Sequence, residues 1–284
     1  MTEKPEPSNL SSGFRKTLDS HGYGFQYAVL KKVTELNNAR QSQWSLEIPE
    51  LPVEARGQGT RIDFILRFGA TDLLLVAECK RVNSAFGNWC FAAAPYVGRS
   101  NRTRIVVQRL VMENEVGPQY AIIHRKPADR VGTIYHVGLE LRQEGEKGDA
   151  YSSGRQAIED AATQVCRGLN GLVNFCARTM AVRTPVFLPA IFTTARLWVS
   201  DINLADADLA TGTFPSNSGE LKEVTWLLYQ YNQSPGLKHA VISKDKMDGL
   251  EGYFYSESAR TIAVVGASGI EDFLTRNWWE IITD

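Results

Sequence analysis

The feature that most constrains the fold is an apolar stretch from Arg61 to Arg81, which reads RIDFILRFGATDLLLVAECKR. It contains two β-prone runs, 62–68 and 73–82, and the segment 69–72 between them carries the glycine and aspartate typical of a turn. This pattern predicts a β-hairpin with a short loop. Because both strands are almost entirely apolar, we expect them to be buried in a sheet.

The register of this hairpin would bring charged residues together. If the residues that flank the loop pair with each other, Asp63 lies directly opposite Glu78, with Cβ atoms about 5 Å apart. Side chains alternate between the two faces of a strand, so Lys80 shares the face of Glu78 whereas Cys79 points away. The sequence therefore predicts two carboxylates and one amine in a single patch of an apolar hairpin.

Such a patch is costly to bury unless its charges are compensated. A divalent cation would compensate them, because paired carboxylate oxygens are ligands that Mg²⁺ and Mn²⁺ prefer. Lys80 would then assist a metal-bound water and stabilise charge on a phosphate. The pattern thus favours metal-assisted phosphodiester hydrolysis. The alternative is that Asp63, Glu78 and Lys80 form a cross-strand salt bridge on a solvated face.

The order of these residues, Asp63 followed by Glu78-Cys79-Lys80 at the end of the next strand, resembles the core motif of the PD-(D/E)XK nuclease superfamily, which includes many restriction enzymes and repair nucleases. Ile62 stands where the proline of that motif would be. The resemblance implies that Asp63 and Glu78 are metal ligands, that the carbonyl of Cys79 is a further ligand, and that Lys80 is the catalytic lysine.

The segment 22–38 carries an apolar stripe at helical spacing that includes Gln26, and it predicts the first helix. In the nuclease superfamily this helix often lends a Glu or Gln to the metal site, so the resemblance makes Gln26 a candidate catalytic residue. A partly buried glutamine at a helix start is the alternative. The segment 43–53 predicts a first strand at a sheet edge or at a strand end, because prolines interrupt it. Glu47 and Glu50 could approach the metal, but we expect these polar side chains to face outward.

Composition excludes several classes of protein. The chain has 284 residues, 43% of them hydrophobic, and a formal net charge of -1, so any attraction to nucleic acid must be local. The apolar runs are too short for a membrane span and the N-terminus has no signal-peptide core, which predicts a cytoplasmic protein without a membrane partner. The four cysteines and four histidines lack zinc spacing and predict reduced thiols without a zinc site.

The segment 82–150 predicts a β-rich insertion with strands at about 104–112, 120–124 and 132–141. Lys and Arg outnumber Asp and Glu in its first fifty residues or so, and aromatic residues lie nearby. Such residues suit phosphate contacts and base stacking, which makes Arg81, Arg102 and Arg104 candidates for nucleic-acid binding. The alternative is that the arginines are exposed surface residues and the aromatic side chains belong to the core.

The clearest helix spans 152–180, and Ser152 or Ser153 can cap it. In the superfamily such a helix crosses over to a strand parallel to the one that carries ExK, and the run 185–199 would supply this strand. By the same resemblance, Arg155 and Gln156 in the first turn would contact a phosphate.

Further strands at 224–231 and 261–265 are expected to extend the same sheet, before a closing helix over 270–282. The last of these strands belongs to the segment ARTIAVVGASGIEDFL, which resembles the end of nuclease domains in bacterial defence proteins. Residues 1–12, polar and proline-containing, predict a disordered tail.

Together these features predict one α/β domain over 13–284, a restriction-endonuclease-like mixed sheet flanked by helices with an insertion at about 82–150. The expected function is Mg²⁺- or Mn²⁺-dependent nuclease activity, on DNA rather than RNA, with a role in bacterial antiviral defence. Two alternatives stay open: a nuclease-fold module that binds nucleic acid or a protein without cleaving, and a ribonuclease with the same site. A homodimer would be consistent with cleavage of both strands of a duplex, and a separate regulatory protein is the other candidate partner.

Overall fold

The computed structural model describes residues 7–55, 57–83, 87–95, 107–113, 119–125, 133–143, 151–154, 156–179, 185–234, 242–243 and 259–283. Within these ranges the protein is an α/β structure with mixed sheets and flanking helices. The helices are α1 (Pro7–Ser20), α2 (Tyr23–Asn38), α3 (Gln156–Thr179), α4 (Ile270–Thr275) and α5 (Trp278–Thr283).

The strands precede and follow the long helix α3. Those before it are β1 (Trp44–Ala55), β2 (Gln58–Phe68), β3 (Leu73–Lys80), β4 (Asn88–Ala92), β5 (Val107–Glu113), β6 (Gln119–Arg125), β7 (Ile134–Tyr135), β8 (Val137–Gln143) and β9 (Tyr151–Gly154). Those after it are β10 (Val186–Thr193), β11 (Arg196–Ser200), β12 (Leu221–Val224), β13 (Trp226–Asn232), β14 (Ile242–Ser243) and β15 (Ala259–Gly266).

The larger sheet has the strand order β1-β2-β3-β10-β15-β13-β7, and β5, β6 and β14 are attached to it at β10. The hairpins β1–β2 and β2–β3 are antiparallel, whereas β3, β10 and β15 are parallel neighbours. A smaller sheet has the order β12-β11-β4-β8-β9. The mixed central sheet predicted from the sequence is therefore present, and β1 lies at its edge as its two prolines indicate.

The predicted hairpin register is confirmed. Strands β2 and β3 pair antiparallel from Arg67 with Leu74 to Phe64 with Ala77. The same register places Asp63 opposite Glu78, one step beyond the last backbone pair. The acidic residues therefore lie where the ladder between the two strands ends.

Helix α3 is the predicted crossover. It leads into β10, which runs parallel to β3 and pairs with it along its whole length, from Val186 with Leu73 to Thr193 with Lys80. The predicted serine cap is wrong: Ser152 and Ser153 belong to β9. The first-turn amide of Ala157 instead donates a hydrogen bond of 2.5 Å to the buried carboxylate of Glu140 on β8. A carboxylate satisfies a helix N-terminus and also complements the helix dipole.

The core lies on both faces of the larger sheet. On one face, α2, α4 and α5 pack on β2, β3, β10 and β15 through residues such as Val33, Phe64 and Phe273. On the other face, the C-terminal half of α3 packs on β1, β2 and β3. The N-terminal half of α3 packs between the larger sheet and the smaller one, where Trp89 of β4 is fully buried. Trp89 is thus a core residue rather than a base-stacking one.

The structure corrects three further predictions. Helix α1 begins at Pro7, so residues 7–12 are helical rather than disordered. The predicted strand 185–199 is two strands, because the chain turns at Thr194 and Ala195. At this turn Thr193 Oγ1 accepts a hydrogen bond of 3.1 Å from the amide of Ala195. The second strand, β11, then joins the smaller sheet. The predicted closing helix breaks at Arg276, whose extended backbone separates α4 from α5.

The four cysteines are free thiols, as predicted. In the part of the chain that the structure describes, no helix is long and apolar enough to cross a membrane.

Gly171 of α3 marks the close approach of this helix to the edge strand β1. A Cβ atom added at Gly171 would lie 2.7 Å from Cγ2 and 2.8 Å from Cβ of Val53. We expect Gly171→Ala to lower the free energy of unfolding by about 1–3 kcal/mol, because β1 must shift to admit the methyl group. Denaturant unfolding would measure this loss. Gly13→Ala in α1, where a Cβ meets nothing within 4 Å, is the control and should not destabilise.

Candidate active site

The candidate active site lies where β2 and β3 separate. The half-buried carboxylate of Asp63 accepts a hydrogen bond of 2.7 Å from the amide of Cys79, in the place where the next backbone contact between the strands would be. The pKa of Asp63 is raised overall. Burial is the largest cause, the hydrogen bond from the Cys79 amide acts in the opposite direction, and the nearby charge of Glu50 adds to the increase. The backbone amide of Cys79 therefore holds the Asp63 carboxylate in position, and this hydrogen bond occupies one carboxylate oxygen at the end of the β2–β3 ladder.

Glu78 is the most unusual residue of the site. Its side chain is only 5% exposed. In the described part of the chain no hydrogen bond or ion pair is found for its carboxyl group, and burial together with the charge of Asp63 raises its pKa to about 9, against a smaller lowering effect of Lys80. A buried carboxyl group without a partner is costly. Burial is the larger of the two causes, and the charge of Asp63 is the smaller.

The alternation along β3 sets the direction of Glu78 and Lys80. Leu74 and Val76 face the cluster around α3, whereas Cys79 packs against the cluster around α2. Glu78 and Lys80 therefore continue on the α3 side. They share one face of the strand, as predicted, and the thiol of Cys79 points away from them. Burial and the two neighbouring carboxylates raise the pKa of this thiol well above its usual value, so Cys79 offers the site no thiolate.

Gln26 reaches the site from the first turn of α2. Its side chain is 5% exposed, and its Nε2 donates a hydrogen bond of 3.0 Å to the backbone carbonyl of Asp63. The neighbouring buried positions Val29 and Val33 hold α2 against the sheet. Gln26 thus ties the helix to the residue that carries the carboxylate, which is a positioning contact.

These residues line one open cleft of about 330 Å³. Its lining is mainly polar and comes from the α1–α2 junction, from β1, β2 and β3, and from α3: Ser20, His21, Gly22, Tyr23, Gln26, Glu50, Arg61, Asp63, Glu78, Cys79, Lys80, Arg81 and Gln164. The structure therefore brings Gln26, Asp63, Glu78, Cys79, Lys80 and Arg81 together, as the sequence predicted.

The two glutamates of β1 differ from the prediction that both face outward. Glu47 does, and it pairs with Arg67 at 2.6 Å. Glu50 instead lines the cleft. A register shift between Leu46 and Ile48 inserts one residue into β1 and changes which side chains face the site.

The predicted nucleic-acid contacts are only partly described. Arg81 lines the cleft, and its Nη1 donates a hydrogen bond of 2.9 Å to the carbonyl of Asp19 at the end of α1. Gln156 is exposed at the start of α3 and does not belong to the cleft lining. Arg102, Arg104 and Arg155 lie outside the described residues.

Sequence reasoning missed Gln164 and Arg61. Gln164 lies two turns beyond the helix start where a phosphate contact was expected, on the part of α3 that passes over the ends of β2 and β3. Arg61 stands two residues before Asp63 on β2, and the strand period would have placed it on the same side. For Gln164 the sequence offers no comparable signal.

The donor set fits a hard divalent cation. Asp63 and Glu78 offer carboxylate oxygens, whereas zinc sites are usually built from several Cys and His ligands, and among the described residues the cleft lining contains a single imidazole, that of His21. Within those residues no group of three or more His, Cys, Asp or Glu side chains is arranged to enclose a metal ion. Two carboxylates suit Mg²⁺ or Mn²⁺, which retain several waters. A cation beside Glu78 would also offset the cost of its burial.

No protein-family model, curated protein or solved structure matches this chain.

Proposed function

We propose that this protein is a metal-dependent nuclease of the PD-(D/E)XK type, with a restriction-endonuclease-like fold. The observation that supports this most is Glu78, a nearly fully buried carboxyl group without a described partner, beside the fixed carboxylate of Asp63 in an open polar cleft. Such an arrangement is unfavourable for a structural salt bridge and favourable for a cation site.

In this proposal Asp63 and Glu78 hold Mg²⁺ or Mn²⁺, and the Cys79 carbonyl is the further ligand that the motif implies. When bound there, the cation activates a water and offsets charge on the phosphate. Asp63 keeps one oxygen on the Cys79 amide, so its orientation is set before the cation arrives. Gln26 holds the Asp63 backbone in place. Preorganisation of this kind is what a hydrolytic site requires.

Lys80 acts on the reacting groups. It lies on the Glu78 side of β3 and lines the same cleft, and its backbone carbonyl accepts a hydrogen bond of 3.2 Å from Thr194. The side chain donates hydrogen bonds to the attacking water or to a phosphate oxygen, where negative charge increases during cleavage. Arg81 adds a positive charge at the rim for the nucleic-acid backbone.

The substrate we propose is DNA, and the setting is bacterial antiviral defence. The openness of the cleft to solvent suits a polymer, and the excess of Lys and Arg in the segment after Lys80 would attract its backbone. The defence role rests on the resemblance of the segment 259–274 to the ends of defence nuclease domains.

Thermal melts test the metal site independently of any substrate. We expect Mg²⁺ or Mn²⁺ at about 100 times its Kd to raise the free energy of unfolding by roughly 2.7 kcal/mol, because only the folded state binds it. Asp63→Asn should lose this response, whereas Asp72→Asn in the hairpin loop should keep it. Equal metal responses in wild type and Asp63→Asn would contradict a cation site at Asp63.

A further inference from the structure

Glu50 has a backbone conformation that demands an explanation. Its φ is +49°, in the left-handed region that residues other than glycine rarely adopt, and it lies inside the edge strand β1. Strained conformations of this kind persist where the surrounding structure holds them, often at functional sites. The strained backbone therefore makes the Glu50 side chain a candidate for a functional role.

The position of Glu50 is next to the candidate catalytic carboxylates. The pairs on either side of it, Pro49 with Phe64 and Leu51 with Ile62, place Glu50 beside Asp63 on the neighbouring strand. Its side chain lines the same cleft. Glu50, Asp63 and Glu78 thus occupy successive strands along one row of the sheet.

The described partner of Glu50 holds it loosely. Nη1 of Arg61 lies 3.4 Å from Oε2 of Glu50, and the side chain of Arg61 is 60% exposed. The other pair between these two strands is much tighter, since Arg67 donates hydrogen bonds of 2.8 and 2.6 Å to the two oxygens of Glu47. Glu50 therefore has an ion-pair partner from which a cation in the cleft would separate it at little cost.

We propose that Glu50 is a third carboxylate of the cation site, that it binds the cation through a water molecule, and that Arg61 pairs with it when the cation is absent. This inference rests on the proposed nuclease site. A water-mediated role agrees with the absence of a three-carboxylate cage among the described residues, and Mg²⁺ retains waters that need acceptors. The buried carboxyl group of Glu78, which has no partner among the described residues, points to a cation in this cleft independently of Glu50.

Calorimetric titration of Mn²⁺ into the purified full chain tests the proposal. Glu50→Gln should weaken Mn²⁺ binding by about 10- to 100-fold, the usual effect of removing a group that orients metal ligands. Glu50→Asp keeps the charge but shortens the side chain, and it should also weaken binding. Glu47→Gln on the same strand, outside the cleft, is the matched control and should stay within about two-fold of wild type. Binding by Glu50→Asp that equals wild type would reduce the role of Glu50 to its charge and overturn the proposal.

Arg61→Gln separates pairing from general electrostatics. In the background with Glu50, Arg61→Gln should tighten Mn²⁺ binding, because Glu50 is released from its ion pair. In the Glu50→Gln background, the same substitution should tighten Mn²⁺ binding less. Equal effects of Arg61→Gln in both backgrounds would contradict the alternation of Glu50 between Arg61 and the cation.

The same titrations distinguish failure of this inference from failure of the proposed function. If wild type binds no Mn²⁺, the cation site and the role of Glu50 are both wrong. If Asp63→Asn abolishes binding while Glu50→Gln binds as wild type does, the site stands and only the role of Glu50 is wrong.

Discussion

Asparagine in place of Asp63 is expected to lower the rate of metal-dependent phosphodiester cleavage by at least ~10³-fold, equivalent to about 4 kcal/mol of activation free energy. The change removes a charged metal ligand but keeps an oxygen that can accept the 2.7 Å hydrogen bond from Cys79. Alanine would leave that amide without its acceptor and would confuse the loss of a ligand with a loss of stability. Asparagine is therefore the more informative substitution.

Single-turnover cleavage assays would measure this effect, and binding to the same nucleic acid in Ca²⁺ would be measured in parallel. We expect binding to change by less than about three-fold, because Arg81 and the other basic residues remain. Asp72→Asn, in the loop of the same hairpin, is the control. Cleavage by Asp63→Asn at the wild-type rate would remove Asp63 from the mechanism.

Glutamine in place of Glu78 is expected to stabilise the metal-free protein at pH 8 by on the order of 2–4 kcal/mol. The pKa of Glu78 is raised from 4.5 to about 9 in the folded protein. Between these values the folded state retains a proton that the unfolded state has lost. The unfolding free energy therefore falls as the pH rises from about 4.5 to 9, and glutamine, which cannot ionise, is free of this loss.

Denaturant unfolding in EDTA from pH 5 to 9 would measure the difference between Glu78→Gln and wild type. The difference should grow with pH. When Mg²⁺ replaces EDTA, the unfolding free energy of wild type should fall less with pH, because Mg²⁺ favours the ionised carboxylate. Glu35→Gln, an exposed position on α2, is the control and should follow wild type. A pH-independent difference would show that the Glu78 carboxyl group is ionised throughout this range.

The central hairpin was predictable because two local features determine its register. The loop with Gly69 fixes which residues begin the pairing, and the apolar residues that follow on both strands leave no room for a one-residue slip. The predicted register agrees with the observed pairing of Phe64 with Ala77. The neighbourhood of Asp63, Glu78 and Lys80 follows from it.

Features that depend on distant parts of the chain were not predictable. Glu50 enters the cleft because of an irregularity in β1 between Leu46 and Ile48, and the sequence does not reveal where such a bulge falls. Glu140 caps α3 from a strand in the smaller sheet. The sequence indicated Ser152 or Ser153 as the cap because they lie next to the helix start, whereas the observed cap is a tertiary contact.

The turn that separates β10 from β11 also depends on contacts with distant parts of the chain. The run 185–199 is mostly apolar, with Thr193, Thr194 and Arg196 as its polar residues, and it contains no glycine. Tertiary hydrogen bonds define the turn, since Thr194 Oγ1 accepts one of 3.0 Å from the amide of Val82. Pattern alone therefore predicted one strand where the chain passes between two sheets.

The most direct test of the nuclease assignment is incubation of the purified protein with plasmid DNA, linear duplex DNA, single-stranded DNA and RNA, each with Mg²⁺, Mn²⁺ or EDTA. Lys80→Met would be assayed beside wild type, with Lys31→Met at an exposed position of α2 as the control. We expect cleavage of DNA by wild type and Lys31→Met that requires the metal and is lost in Lys80→Met. Absence of cleavage in every wild-type reaction, or cleavage that survives in Lys80→Met, would contradict a nuclease centred on Asp63, Glu78 and Lys80.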